Sequence, residues 1–83
     1  MSDAYLTDAH RPQQHWPLPT AENGQFIIGR EAPADLIFAA APVSRRHACV
    51  TLRDGRHWLT DLGSRNGTFV NGMPVHSDPV RLI

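Results

Sequence analysis

The sequence contains no lysine. That absence removes a P-loop lysine, a Schiff-base lysine and a lysine general base together. Its single cysteine, Cys49, cannot form an internal disulfide or a cysteine-paired zinc site. No apolar run approaches the roughly 20 residues of a membrane helix, and Met1 to His10 shows neither the basic start nor the apolar stretch of a signal peptide. Net charge is absent as well: eight arginines balance six Asp and two Glu. No global field therefore favours nucleic acid or an anionic membrane. The expectation is a soluble protein in a reducing, cytoplasmic setting, without nucleic-acid or membrane partners.

What is present suits one domain. A chain of 83 residues, 41% hydrophobic, can build one modest core but not two. Turn signals dominate. Asn23-Gly24, Asp54-Gly55, Asn66-Gly67 and Asn71-Gly72 all favour positive backbone angles and hairpin turns. Between them lie segments of strand length: Phe26–Gly29, Leu36–Phe38, His47–Arg53, His57–Leu62, Thr68–Val70 and Val80–Ile83. From Ala48 to Arg53 the apolar residues alternate, with Ala48, Val50 and Leu52 on one side, the period of a half-buried strand. Trp58, Thr60 and Leu62 alternate likewise. The N-terminal segment through Gly24 reads as one or two edge strands, with residues 1–13 an edge strand or tail, and Ala39-Ala40-Ala41 allows a helical turn. The fold class is all-β, a sandwich of antiparallel strands.

Three islands concentrate polar groups at strand ends: Phe26-Ile27-Ile28-Gly29-Arg30, Val43-Ser44-Arg45-Arg46-His47-Ala48, and Asp61 to Gly72. Arg30 follows three apolar residues and a glycine, so it leaves a buried strand as an anchored anion receptor, and arginine suits bidentate phosphate binding. Ser44 offers a hydroxyl donor beside the charges of Arg45 and Arg46. Asn66 donates and accepts through one amide, which matches an extended peptide backbone. Read from these residues alone, the site is a receptor for an anion and a peptide.

Gly-Arg, then Ser-x-x-His about fourteen residues on, then Gly-Ser-x-Asn-Gly-Thr-x-Val-Asn-Gly, resembles the forkhead-associated (FHA) family over Phe26 to Gly72. The resemblance implies an FHA-type (SMAD/FHA) β-sandwich that binds phosphothreonine peptides, within a single domain of residues 1–83 whose motif core is 26–72. It implies phosphate contacts from Arg30, Ser44 and Arg45, peptide-backbone hydrogen bonds from Asn66, and a place for Arg65 beside the phosphate and methyl pocket. Gly29, His47, Gly67 and Asn71 are implied to be architectural. No cofactor, metal or enzymatic activity is implied. The implied partner is a phosphothreonine-containing protein in Ser/Thr kinase signalling, with the domain tethered to others in a longer parent chain. Because such a sandwich continues beyond the point matched by Val80–Ile83, the last strands are expected to be missing.

Bland alternatives exist for each feature. A lone Gly-Arg or Asn-Gly is a turn more often than a site; the ordered conjunction is what singles them out. Arg46 is expected to be a solvated surface residue. His47 is expected to be structural, and His10, His15, His57 and His76 lack paired ligand spacing. Asn66-Gly67-Thr68 fits a glycosylation triplet, without a secretory signal to give it meaning. At the level of function, the alternative is an FHA fold used as a phosphate-independent interaction or oligomerisation surface.

Overall fold

The computed structural model describes residues 5–8, 11–39, 42–70, 72–76 and 78–82. They form nine strands and no helix. In chain order these are β1 (Tyr5–Asp8), β2 (Arg11–Pro17), β3 (Gln25–Gly29), β4 (Leu36–Ile37), β5 (Ala48–Arg53), β6 (Arg56–Asp61), β7 (Thr68–Val70), β8 (Met73–Val75) and β9 (Val80–Arg81). A five-stranded sheet runs in the order β4-β3-β5-β6-β9, and β1-β2 and β7-β8 are separate two-stranded ribbons.

Two of the four turn signals close hairpins. Asp54 and Gly55 both take positive φ, 54° and 75°, and join β5 to β6 in the two-residue turn that matches strand twist. Gly72, at φ 80°, lies between paired Val70 and Met73. Asn23-Gly24 and Asn66-Gly67 instead shape loops between strands that do not pair. In the first, the Gly24 N–H donates to Ala21 O at 2.9 Å, and the Asn23 N–H to Leu52 O at 2.8 Å, which ties the turn to the end of β5.

The core lies between the five-stranded sheet and the two ribbons. Phe26, Val50 and Leu59 stand opposite one another across β3, β5 and β6, so all three share the inner face. Leu18, Leu36, Ala48 and Val75 complete the buried cluster, with Leu6, Trp16, Ile28, Val70, Val80 and Leu82 packed around it. Val50 is fully buried at its centre; that side chain alone contributes about 1.5–3 kcal/mol by leaving water.

Four expectations are refined by this packing. The alternation in β5 holds in period, yet Cys49 on the opposite face is buried too. β5 is central, and its outer-face neighbours Ile27 and Thr60 stand directly beside Cys49 and shield it. In β6 the core side belongs to Leu59; Trp58 and Thr60 lie on the other face and Leu62 is exposed. One pairing is parallel, β3 with β4. Asp35, just before β4, clamps β3 beside it, its N–H donating to Ile27 O at 2.8 Å while its carboxylate accepts the Ile27 N–H at 2.8 Å. Ala39 is not helical; Ala40 and Ala41 lie outside the described residues.

The N-terminal segment forms the β1-β2 ribbon, and β2 continues past residue 13 to Pro17. Strand β8 has no counterpart in the sequence reading, because Pro74 and its flanking turn residues look like loop. It is nevertheless held by β7 and contributes Val75 to the core.

Candidate functional site

At the end of β3 the chain leaves the sheet through Gly29 and Arg30. A side chain at Gly29 would run into the backbone carbonyl of Arg45, so only glycine lets the two loops approach. Across that contact the Arg30 N–H is shared between Ser44 O at 3.1 Å and Arg45 O at 3.2 Å. Arg30 is half-buried, and its backbone is locked to the segment that carries Ser44.

His47 ties this segment to the third island. The Ser44 N–H donates to Nδ1 at 3.1 Å, so Nδ1 is unprotonated and Nε2–H donates to Gly67 O at 2.8 Å. One neutral imidazole thus closes the Ser44–His47 loop and bridges to a residue 20 positions away. Gly67 presents its carbonyl from a left-handed backbone, φ 87°.

Ser44 and Asn66 add two further bridges. Ser44 Oγ accepts the Arg65 N–H at 2.9 Å, which leaves the hydroxyl hydrogen for another acceptor. Asn66 Nδ2 donates to Pro42 O at 2.7 Å, and its Oδ1 and second amide hydrogen remain for a ligand.

Asp61 organises the third island from beneath. Oδ2 accepts the N–H groups of Gly63 and Ser64, each at 3.0 Å, while Oδ1 accepts the hydroxyls of Ser64 at 2.5 Å and Thr68 at 2.7 Å. Ser64 Oγ in turn accepts the Gly67 N–H at 3.1 Å. Burial pushes the Asp61 carboxyl up, but the hydrogen bonds from Ser64, Thr68 and Gly63 outweigh it and hold the group below its ordinary value. Residue types alone did not single Asp61 out; the available signal was a strand-ending aspartate followed by Gly and Ser two and three residues on.

The sign of the resulting pH dependence follows. A carboxyl that is more acidic in the folded state stabilises it above the unfolded value, 3.8, and that stability is lost as pH falls below it toward the lower folded value. Asp61→Asn is expected to cost about 1–2 kcal/mol at neutral pH. In urea titrations at successive pH values, the gap between wild type and variant should close under acid conditions; a gap independent of pH would refute this role.

These bridges assemble an open cleft of about 450 Å³ lined by Arg30, Val43, Ser44, Arg45, Arg46, Arg65 and Asn66. All five residues expected to contact the ligand line it: Arg30, Ser44, Arg45, Arg65 and Asn66. Of the supporting four, Gly29, His47 and Gly67 sit behind it as described, and Asn71 lies outside the described residues. The cleft also takes in Arg46, expected on the solvated surface, and Val43, not singled out by its sequence position. Arg45 meets Glu31 at 3.3 Å with both side chains largely exposed, a contact of small energy.

A family model described as the FHA domain matches residues 26–83. The chain belongs to the FHA domain family. Among curated relatives of this FHA chain, the glycogen accumulation regulator GarA of Mycolicibacterium smegmatis is 45% identical over 49 residues, 59% of this chain and 31% of GarA. The chain thus spans about a third of the curated relatives it matches. The structure superposes on Mycobacterium tuberculosis EmbR in complex with a low-affinity phosphopeptide, with TM-score 0.86 and 32% identity, over 99% of this chain and 20% of EmbR. A second FHA structure, from work on phosphothreonine-dependent FHA domain interactions, matches with TM-score 0.84 and 30% identity, over 99% of this chain and 80% of that one. The fold is the FHA-type β-sandwich.

Proposed function

We propose that this FHA domain is a phosphothreonine-dependent peptide-binding module that mediates protein-protein interaction in Ser/Thr kinase signalling. The observation that supports it most is convergence: side chains from three separated segments line one cleft rich in arginine. Phosphothreonine brings about −1.5 to −2 charges and three acceptor oxygens. Arg30, Arg45 and the Ser44 hydroxyl meet the phosphate, Arg65 flanks it, and Asn66 pairs with the peptide backbone beside the phosphothreonine. Val43, the apolar lining side chain, is available to the threonine methyl. The domain acts by recruitment and not by catalysis, needs no cofactor, and works in a reducing cytoplasm where the buried thiol of Cys49 persists.

A phosphothreonine peptide library, screened with unphosphorylated and phosphoserine versions of each hit, tests this. Losing two charge-assisted hydrogen bonds at roughly 1.5 kcal/mol or more each should weaken the unphosphorylated peptide at least about a hundredfold. Phosphoserine should bind less well by roughly 1 kcal/mol or more, because one methyl contact is lost. Binding that ignores the phosphate would replace this reading with a phosphate-independent interaction surface.

A further inference from the structure

The cleft holds more positive charge than one phosphate neutralises. Four arginines line it, Arg30, Arg45, Arg46 and Arg65. Among the described residues, Glu31 against Arg45 is the one carboxylate in an ion pair with any of them. Asp61 and Asp35 accept hydrogen bonds from the Gly63–Thr68 turn and from the Ile27 N–H, and among the described residues neither is in an ion pair with a cleft arginine. A phosphothreonine of about −2 charge leaves at least one guanidinium uncompensated. Arg46 is the group in question. Exposed and on the wall of the cleft, it has no ion-pair partner among the described residues, whereas Arg30 is half-buried and anchored beside Ser44.

We infer that the preferred ligand is a phosphothreonine peptide bearing a second anionic side chain next to the phosphothreonine, met by Arg46. The inference rests on the phosphopeptide reading above and specifies its partner class. A carboxylate and a second phosphate share the required chemistry. Either would relieve the repulsion among the guanidinium groups, and either acts through solvent-exposed pairs that salt weakens.

The test uses the full chain and labelled peptides of one phosphothreonine scaffold, read by fluorescence anisotropy. The flanking positions carry neutral residues, glutamates before the phosphothreonine, glutamates after it, or a second phosphothreonine. At least one anionic flank should tighten binding about fivefold over neutral flanks at low salt. That gain should fall below about twofold in Arg46→Gln, and also at roughly 500 mM NaCl. A gain with glutamate identifies a carboxylate as sufficient; a gain only with the second phosphothreonine identifies the phosphate as the source. The inference is overturned, with the phosphopeptide reading intact, if the neutral peptide binds and every anionic flank lies within about twofold of it, or if the gain persists in Arg46→Gln. Failure of all the phosphopeptides to bind would overturn both.

Discussion

Arg30→Ala is expected to weaken binding of a good phosphothreonine peptide by at least ~2 kcal/mol, about thirtyfold. Of the four cleft arginines, Arg30 has the most constrained setting. It is half-buried at the end of β3, and its backbone N–H is held by the carbonyls of Ser44 and Arg45. A side chain that starts from so fixed a backbone loses less freedom on binding than Arg45, whose side chain is 75% exposed. The same N–H bonds hold the Arg30 backbone beside that of Ser44, and in the proposed complex guanidinium and hydroxyl meet the phosphate together. Arg30→Lys should recover only part of the loss, since an ammonium gives charge without a planar fork. Calorimetry decides the matter; a loss under about threefold for Arg30→Ala would remove Arg30 from the phosphate contacts.

Gly29→Ala is expected to destabilise the fold by about 2–3 kcal/mol, the upper part of the range for forced overpacking. The added carbon meets a backbone carbonyl, that of Arg45, and not the movable end of a side chain. Relief requires the Ser44–His47 loop to retreat from β3. That retreat would stretch both Arg30 N–H bonds and the His47 N–H to Ile28 O bond of 2.8 Å. Stability and binding should therefore fall together, and binding should remain weak even under conditions where the variant is folded. Gly55→Ala separates this from a general glycine effect, because a carbon there has open space around it and is opposed by its φ of 75° alone. Urea unfolding of the two variants, with peptide titrations on each, provides the comparison. A Gly29→Ala cost below about 0.5 kcal/mol would show that the loop yields freely.

Much of the sandwich was legible before folding. Thr68–Val70 is a strand with the expected bounds, β3 and β5 differ from expectation by one residue at one end, and β6 is shifted by one residue at both ends. The turn at Asp54-Gly55 was equally plain. The less legible parts depended on neighbours. Cys49 looked solvent-facing because a period of two says which residues share a face but not whether a face is covered. Pro74 hid β8, whose pairing comes from β7 and not from its own composition. The two Asn-Gly pairs that lie in loops have the same local chemistry as those in hairpins, and the difference is whether the flanking strands pair.

The site divides along the same line. Gly-Arg, Ser-x-x-His and Gly-Ser-x-Asn-Gly singled out the arginine, hydroxyl and amide groups that line the cleft, because residue types and short spacings report chemistry and turns directly. Local sequence could not say that Arg46 shares the cleft, that Asp61 holds the third loop, or that the His47 ring carries its proton on Nε2. The cleft and the His47 bridge depend on contacts that close long segments of chain, 21 residues from Ser44 to Arg65 and 20 from His47 to Gly67, whereas Asp61 bonds only within seven residues of itself, to Gly63, Ser64 and Thr68. Sequence by itself thus determined most of the strands, the tight turn at Asp54-Gly55 and the residue types on which the proposed ligand rests. Only the tertiary structure decided which charges face one another, since the direction of an arginine or the tautomer of a histidine depends on the partner that folding brings within hydrogen-bond reach.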